Sequence, residues 1–592
     1  MQSIGYQFNA SRNLDQPLQM GSENFTPFNY GGMVYSKTGI GFHYLKEYLG
    51  EDLFDNAMNK YFEVWKFKHP NPSDLRKVFE TQCQRDLSWF FDGFIKTSKK
   101  TDYSIKKVKR INDNQYLIKI KNHTGFNSPF PVQGIKINKD STIILKEQWL
   151  DGFKKDTSVL YNISSQPSHF SIDHELVTTD FNFYHHLSKS SGLFKFQKQI
   201  DLKLIPINTT NNKVNHIYWA PLFGWNSYDK IMPGLAIYNK GIKTKKTEWV
   251  FSPLYSFENS SLNGIGEITH YHNINNCINR LEFGYKIRSF SSRFESSLSN
   301  DRWIKQEIFS ELRLKENKLR YSPSQKILIR AIKIDDHYIS GNSISPPESK
   351  SQIAYYGQIQ YSLNNKQILK PKSLQLKYTH GLNKKYSLVS SLELTSKFRI
   401  NYNQNLDALR IRFFAGYNFN SFNSRYNLFL RGQDGYYDYL YERTYLGRNL
   451  NYPYTLAQQS SNSQGSFKIN TGLGSSDSWL ITSNISLKLP KLPISLFTDL
   501  GAYPYLNYNA NIQQTVLETQ FLYNFGISYN IEILNKKFIG IYLPLLYSEA
   551  IKNAYVPGTN KRTESLSLLQ KITFIFNLNE INPFSIKKNI RP

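Results

Sequence analysis

Apolar and polar residues alternate along strand-length segments over the last two thirds of the chain. The alternation is clear in Leu281–Arg288, Leu409–Asn420 and Phe521–Ile531. Side chains on a β-strand point to opposite faces in turn, so each segment has one apolar and one polar surface. About fourteen to sixteen such segments lie between Gly234 and Leu578, and at about 9–12 residues each is long enough to cross a bilayer when tilted.

These segments predict a large antiparallel transmembrane β-barrel. Their aromatic residues lie near the segment ends, as membrane interfaces favour, and a closed barrel leaves no strand edge unpaired in lipid. Bacterial barrels have an even number of strands, so we expect about sixteen over residues 191–592. We also expect a linker at Asn208–Asn215, a basic tail at Asn579–Pro592, and surface loops at Asp335–Lys350 and Gly432–Gln464. Alternation alone leaves a propeller or stacked soluble sheets as the alternative.

Residues 103–190 have the pattern of a small β module. Short strand patterns, from Tyr103–Val108 to Ser168–Ile172, are separated by turns rich in Asn, Asp and Gly. This spacing predicts an Ig-like antiparallel β-sandwich.

Residues 1–102 follow a helical period instead. Apolar residues recur at a spacing near 3.6 from Val34 to Leu49 and from Leu53 to Trp65, and again in two shorter segments that begin near Leu75 and Asp86. Gly50 and two later prolines end these periods. We therefore predict four short packed helices, and a fold class that is mostly β with a short α-helical part.

Charge, hydropathy and cysteine spacing exclude several classes of function. The 592 residues carry a net charge of +27 and have a mean hydropathy of −0.50. We find no long uncharged apolar run and expect no transmembrane helix, and the N-terminal residues lack the pattern of a signal peptide. The positive charge can reflect a bias in composition, or binding to an anionic lipid surface or to nucleic acid. The basic residues are dispersed along the chain, so we expect no nucleic-acid binding. Cys83 and Cys277 are too far apart in the chain to form a metal or redox motif.

One ordered set of motifs points to chemistry. Its four segments are Tyr30–Gly50, Phe54–Tyr61, Lys68–Asp74 and Asp86–Phe91. In this order they resemble the segments just downstream of the zinc site in gluzincin aminopeptidases, and more narrowly the bacterial aminopeptidase N family. The resemblance implies that Tyr35 is the tyrosine that stabilises the tetrahedral intermediate. In the family a glycine directly follows the lysine of this motif, whereas here Thr38 separates Lys37 from Gly39.

The implied role of Tyr35 has a simple physical basis. Attack of water on a peptide carbonyl builds negative charge on its oxygen, and a phenol that donates a hydrogen bond there stabilises the transition state more than the substrate. The alternative is that Tyr35 is only a surface tyrosine of an amphipathic helix.

The zinc-binding motif of the family is missing from this sequence. Gluzincins use His-Glu-x-x-His on a helix, followed by a further Glu. The nearest fragment, His174–Thr178, lacks the second His, and the adjacent His185 and His186 would point to opposite faces of a strand. Zinc belongs to the full family domain, and we expect this chain alone to bind no metal or other cofactor. Either the chain is a truncated or split product whose upstream part, with the zinc site, is missing or separately encoded, or it is a degenerate relative that kept the scaffold and lost catalysis.

The order of a helical part (1–102), a β-sandwich (103–190) and a barrel (191–592) resembles a group of Bacteroidetes proteins. These fuse an aminopeptidase N-like domain to an outer-membrane barrel. The resemblance implies that the protein lies in the bacterial outer membrane with its N-terminal domains in the periplasm. Its implied partners are outer-membrane lipid and peptide substrates, and its implied activity is the hydrolysis of peptide N-termini. The alternatives are a non-catalytic outer-membrane scaffold or channel with a degenerate peptidase domain, and a soluble carbohydrate-binding β-protein.

Overall fold

The structure is a computed structural model. It describes residues 2–138, 141–182, 186–192, 195–196, 199–204, 214–241, 244–274, 277–292, 301–317, 319–340, 348–365, 367–383, 389–405, 407–421, 424–432, 435–443, 445–448, 458–509, 514–533, 536–557 and 559–576. The expected tail at 579–592 lies outside these residues. So does most of the expected linker, whose last two residues belong to a strand.

The N-terminal part of the chain is helical. It contains α1 (Gln2–Ala10), α2 (Pro27–Asn29), a π-helix π1 (Tyr30–Lys37), α3 (Thr38–Leu49), α4 (Glu51–Trp65), α5 (Pro72–Cys83) and a second π-helix π2 (Trp89–Ile95). Gly50 ends α3 with a φ of 89°, a conformation that favours glycine, and Asn71 caps α5 in a capping box with Asp74. The prediction of helices along α3, α4 and α5 is confirmed. Their apolar faces share a core with π2 through Leu45, Phe79 and Phe90.

Seven short strands follow the helices. They are β1 (Tyr103–Asn112), β2 (Gln115–Asn122), β3 (Phe130–Ile137), β4 (Thr142–Leu150), β5 (Asp156–Asn162), β6 (His169–Ile172) and β7 (Leu187–Lys189). They form a three-stranded sheet in the order β1-β2-β5 and a four-stranded sheet in the order β4-β3-β6-β7. Buried residues of both sheets, such as Ile118, Phe130 and Phe170, form one hydrophobic core.

A much larger sheet makes up most of the rest of the chain. Its long strands are β8 (Gln199–Lys203), β9 (Val214–Asn226), β10 (Lys230–Tyr238), β11 (Thr247–Ser256), β12 (Ser261–Asn273), β13 (Ile278–Ser292), β14 (Asp301–Leu314), β15 (Ser324–Ser340), β16 (Glu348–Asn365), β17 (Lys372–Gly381), β18 (Val389–Asn401) and β19 (Ala408–Ser421). After β20 (Leu428–Phe429), β21 (Gln459–Ser460) and β22 (Ser475–Ser476), it continues with β23 (Trp479–Lys488), β24 (Ile494–Asn509), β25 (Gln514–Ile533), β26 (Lys536–Tyr547) and β27 (Thr573–Phe576). Two short helices, α6 (Glu549–Asn553) and α7 (Leu568–Lys571), lie between the last two strands.

The strand order of this sheet is that of a barrel, returning from β27 through β8 and β9 to β10. Each strand pairs with the next from β8 to β19. Strand β19 then pairs with β23, and the pairing continues strand by strand to β27. Within the described residues, sixteen strands, β9–β19 and β23–β27, form an antiparallel series. The whole sheet has eighteen, because β8 pairs parallel to β9 and β21 pairs parallel to β27. The mostly β fold class is confirmed, and the expectation of about sixteen strands describes the antiparallel series but not the whole sheet.

The two faces of this sheet differ as the alternation predicts. Inward-facing polar residues such as Glu282, Glu307 and Asp499 are buried, whereas outward-facing apolar residues such as Phe283 and Phe521 are exposed. Among the helices that the structure describes, none is both long and apolar enough to span a membrane.

Between β19 and β23, the described residues 424–432, 435–443, 445–448 and 458–478 pack inside the barrel, and we call them the lumen insert. Its Tyr441 stacks on the inward-facing Trp303 of β14, with ring centroids 4.3 Å apart. Its Leu430 and Phe467 share a core with Leu522 of β25. Polar contacts also reach both walls, as Lys305 Nζ donates to Leu440 O at 2.8 Å and Lys468 N donates to Asp499 at 2.8 Å.

The loop prediction for Gly432–Gln464 is wrong in the part that the structure describes, because Leu440 and Tyr441 are buried in one core with Trp303 of the barrel wall. Polar composition misled the sequence reading there, because the inward face of this barrel is itself polar. The stretch Asp335–Lys350 is strand at both described ends, since β15 continues to Ser340 and β16 begins at Glu348. The centre of that predicted loop, residues 341–347, lies outside the described residues.

Candidate functional site

Tyr35 lies in π1, the π-helix that joins α2 to α3. Its side chain is 67% exposed, and its ring meets the edge of the Tyr30 ring at a centroid distance of 6.0 Å. π-helical turns are rare and frequently occur at functional sites. Tyr30 is also exposed, and the two tyrosines form an exposed aromatic surface that we call the Tyr35 face.

Two close contacts hold π1 in place below this surface. Gly32 lies against the backbone of Gly5 in α1, where a Cβ would stand 3.3 Å from a carbonyl oxygen. Lys37 is fully buried, and its Nζ donates to the carbonyl oxygens of Phe94 at 3.0 Å and Thr97 at 3.3 Å. The Lys37 ammonium also lies 4.6 Å from the Phe94 ring centroid, a cation–π contact. The lysine of the motif is thus a structural anchor that fixes the turn carrying Tyr35.

A zinc ion does not fit the residues that surround Tyr35. Across the described parts of the chain, no group of three or more His, Cys, Asp and Glu residues is arranged to hold a metal ion. His174 lies in the loop after β6, where its backbone N–H donates to the Gln133 side chain. His186 is buried and contacts Asp180 at 3.0 Å, and His185 lies outside the described residues. We therefore derive no catalytic step through zinc for this chain alone.

Sequence reasoning missed a buried carboxylate cluster where the helical part meets the small β-sheets. Asp180 accepts hydrogen bonds from Tyr103 N at 2.9 Å and Asn182 N at 2.7 Å, and it contacts His186. Asp173 accepts from the backbone N–H groups of Val177 and Thr178. No motif spacing marks this cluster, because its members come together only when the loop after β6 folds back onto β1.

Burial changes the acid–base behaviour of this cluster. Burial, followed by repulsion from Asp180, raises the pKa of Asp102 to about 7. Burial also raises the pKa of Asp173, despite its hydrogen bonds. For His186, burial opposes the charged form, but the carboxylates of Asp180 and Asp173 outweigh it and raise its pKa. The cluster therefore couples protonation to the packing of the N-terminal elements.

The helical part also rests on one end of the barrel. Asn13 Nδ2 donates to Asn279 O at 3.2 Å near the turn between β12 and β13, and Asn273 Nδ2 donates to Ser11 O at 3.4 Å. Arg320 N, in the turn between β14 and β15, donates to Asn24 O at 2.9 Å. A cavity of about 1020 Å³ lies between these elements and includes residues from both sides, such as Lys100 and Lys246. The turns at this end of the barrel thus form the platform on which the N-terminal elements sit.

Comparison with known proteins finds weak similarity between this chain and several solved structures. No family model and no curated protein matches the chain. Among solved structures, aminopeptidase A from Legionella pneumophila in complex with aspartic acid is 19% identical over 25% of this chain, which spans 17% of that protein, with a TM-score of 0.20. BamA from Haemophilus ducreyi lacking POTRA domains 1–3 is 8% identical over 58% of this chain and 70% of its own, with a TM-score of 0.32. CdiB from Acinetobacter baumannii is 9% identical over 56% of this chain and 57% of its own, with a TM-score of 0.29.

Proposed function

We propose that the protein is an outer-membrane β-barrel that carries an aminopeptidase-related module at its periplasmic end. The observation that carries this proposal is the outward face of the barrel strands, where large apolar side chains are exposed along β9 to β26 while their polar neighbours are buried inside. Exposed apolar surface on this scale is unfavourable in water and suits lipid. The end on which the N-terminal elements sit would then face the periplasm.

Membrane fractionation tests the barrel part of this proposal. We expect the full chain to sediment with outer membranes, to need detergent for extraction and to migrate differently in electrophoresis before and after heating, because closed barrels resist unfolding by detergent at room temperature. Recovery in the soluble fraction without detergent would contradict it and favour a soluble β-protein.

We further propose that the module belongs to a zinc aminopeptidase that hydrolyses peptide N-termini, and that its zinc-bearing half lies outside this sequence. The exposed Tyr35 face supports this, since the phenol is open to a partner surface and can donate a hydrogen bond to an oxyanion formed there. Lys37 and Phe94 would keep that phenol in position by fixing the turn beneath it.

A single substitution tests the role of Tyr35 in an enzyme completed with such a half. Replacing Tyr35 by Phe should lower kcat by roughly 10²–10³-fold with little change in KM, because the donor acts on the transition state. Tyr30→Phe is the matched control, since Tyr30 shares the surface and the helix but not the implied role. The measurement is hydrolysis of a chromogenic aminoacyl amide, and equal kcat in both variants would contradict the role of Tyr35.

The second candidate function is a non-catalytic outer-membrane scaffold. The lumen insert favours a scaffold over an open channel, because it packs against strands on both sides of the barrel. Absence of peptide hydrolysis after reconstitution with the zinc-bearing half, together with retained binding of that half, would support the scaffold.

A further inference from the structure

A second cavity, of about 440 Å³, lies between the inner wall of the barrel and the lumen insert. Its walls come from β16 to β19, β23, β24 and β26, and the lumen insert contributes Asn462, Ser466 and Lys468. A cavity of this size can hold a small molecule. Ser466 and Lys468 bring a hydroxyl and an amine to the same wall.

The hydroxyl and the amine are in direct contact. Lys468 Nζ lies 2.8 Å from Ser466 Oγ, which is hydrogen-bond distance. The same Nζ donates to the Ser466 carbonyl oxygen, and it lies 5.4 Å from the centroid of the Tyr542 ring. Ser466 Oγ also donates to Ser461 O at 3.1 Å, so its position is fixed from two sides. A serine hydroxyl beside an amine has the arrangement of a nucleophile and its base.

The surroundings of Lys468 suit a base. Its side chain is 5% exposed, and burial favours the neutral amine, which is the form that accepts a proton. The carboxylate that lines the cavity belongs to Asp499, and it accepts a hydrogen bond from the backbone N–H of Lys468 at 2.8 Å. The side chains of Asn484 and Asn524 donate to it as well. These donors hold the carboxylate, while the lysine amine contacts the serine.

The backbone that carries Ser466 is strained. Gln464 and Ser466 have φ angles of 43° and 55°, in the left-handed region that favours glycine. The turn is held by Asn484, whose Nδ2 donates to the carbonyl oxygens of Gly465 at 3.1 Å and Ser466 at 3.4 Å. Strained residues of this kind cluster at active sites, where the surrounding structure keeps a reactive group in place.

Arg412 adds a hydrogen-bond donor to the same cavity. Its Nη1 donates to Asn484 Oδ1 at 2.9 Å. Its Nε is buried, and none of the described residues accepts a hydrogen bond from this atom. A buried donor without an acceptor is unfavourable, so Nε is available to an oxygen of a bound molecule. In acyl transfer, such a donor stabilises the oxyanion that forms on the carbonyl oxygen.

We propose that Ser466 and Lys468 form a serine–lysine pair that hydrolyses a small ester or amide inside the barrel. Ser466 Oγ attacks the carbonyl carbon while Lys468 Nζ accepts the hydroxyl proton, and Arg412 Nε donates to the oxyanion. The bond to the leaving group then breaks, Lys468 gives that group its proton, and the acyl group stays on Ser466.

Water completes the reaction. It attacks the acyl group, Lys468 accepts its proton, and the bond to Ser466 Oγ breaks as this proton returns to the serine. The products are a carboxylic acid and an alcohol or amine. This activity goes beyond the proposed peptidase function and depends on neither zinc nor Tyr35.

Labelling of the full chain in a non-ionic detergent with diisopropyl fluorophosphate tests the nucleophile. This small reagent modifies activated serines, so we expect one label per chain, located at Ser466 by mass spectrometry. Ser466→Ala should lose the label. Ser463→Ala is the matched control and should be labelled as the wild type is, because Ser463 lies in the same segment and contacts Ser461 Oγ at 2.6 Å, away from the cavity wall.

Lys468→Arg distinguishes a base from a structural contact. Arginine can still donate to Ser466, but it stays protonated and accepts no proton. We expect this variant to keep the heat-modifiable fold and to lower kcat for p-nitrophenyl acetate by roughly 10²–10⁴-fold. If it fails to fold, Arg412→Gln removes the oxyanion donor instead and should lower kcat by roughly 10²–10³-fold.

Three results would overturn the proposal: no label on the wild type, a label that persists in Ser466→Ala, or equal hydrolysis by the wild type and a folded Lys468→Arg.

Discussion

At the scale of single residues, the N-terminal elements depend on polar groups whose burial no sequence pattern marks. Lys37 and the carboxylate cluster around Asp180 are fully buried, and each is matched by hydrogen bonds from or to a distant segment. Leaving a buried polar group without its partner costs about 1–3 kcal/mol, so these contacts fix how the helices meet the β-sheets. The same burial makes the junction sensitive to pH.

The pH response follows from Asp102, which faces Asp180, His186 and Lys246. Its pKa is about 7 in the folded chain and about 4 when unfolded. Between these values the folded chain holds a proton that the unfolded chain has released, so the free energy of unfolding falls as the pH rises. His186 acts in the same direction: because its pKa is raised, its stabilising contribution is full below about pH 6.5 and is lost as the pH rises through its folded pKa.

Denaturant unfolding of the N-terminal elements at several pH values between about 5 and 8 checks this expectation. The free energy of unfolding should decline towards pH 8 in the wild type, and Asp102→Asn should flatten the decline. Asp113→Asn is the control, because Asp113 is exposed and pairs with Arg110 at the surface. A wild-type slope that persists in Asp102→Asn would show that Asp102 is not its source.

At the scale of elements, the helix α3 shows what sequence periodicity captures and what it misses. Its apolar spacing and its end at Gly50 predict it correctly, because a helix buries one face and stops where the backbone turns left-handed. Apolar spacing could predict neither the π-helical geometry of π1 nor the close contact between its Gly32 and α1. The same local reasoning could not place Tyr35 on an exposed surface, since that depends on which neighbours cover the helix.

Two glycines of α3 provide a matched test of this packing. A Cβ on Gly41 would stand 2.3 Å from the buried Phe94 ring, whereas a Cβ on Gly39 would meet nothing within 4 Å. Gly41→Ala should therefore destabilise the chain by about 1–3 kcal/mol through overpacking. Gly39→Ala should stabilise it by about 0.5–1 kcal/mol, because alanine favours the helix. Denaturant unfolding of both variants measures the difference, and equal effects would contradict the packing described for Phe94.

The lumen insert is the element that the sequence pattern predicted wrongly, because polar and irregular sequence is common to surface loops and to a segment packed in a polar lumen.

The ion pairs of the lumen insert suggest a direct test. Glu442 contacts Arg330 at 2.5 Å and Lys305 at 3.7 Å, so Glu442→Gln should loosen the insert from β14 and β15. We expect higher single-channel conductance in planar bilayers and faster proteolysis of the insert than in the wild type. Glu258→Gln, in the exposed turn between β11 and β12, should leave both unchanged. Unaltered conductance and proteolysis in Glu442→Gln would show that these contacts do not hold the insert.

At the scale of the whole molecule, the alternating pattern predicted the barrel well because one physical rule acts on every strand. Each strand must present apolar side chains outward and polar side chains inward, so the signal repeats many times. This rule could not predict the parallel strand β8 or the two-residue strand β21, because neither has a long alternating pattern.

The outward face can be tested at one position. Phe521 on β25 is 75% exposed, so Phe521→Asp should place a charge in lipid and reduce assembly of the barrel, at a cost smaller than the roughly 2–4 kcal/mol of a lysine or arginine at the bilayer centre. Phe257, 72% exposed in the turn between β11 and β12, gives the control Phe257→Asp, which should assemble normally. The measurement is the fraction of heat-modifiable barrel in purified membranes. Equal assembly of both variants would argue against a lipid-facing wall at β25.

The position of the lumen insert also constrains the order in which the chain can acquire its structure. The insert separates β19 from β23, yet these strands are hydrogen-bonded neighbours, and its side chains touch both early strands such as β14 and late strands such as β25. Contacts between residues so distant in sequence form slowly, because long stretches of chain must first be brought together. The insert therefore has to enter while the wall is still open, and the last strands complete the enclosure around a centre that is already occupied.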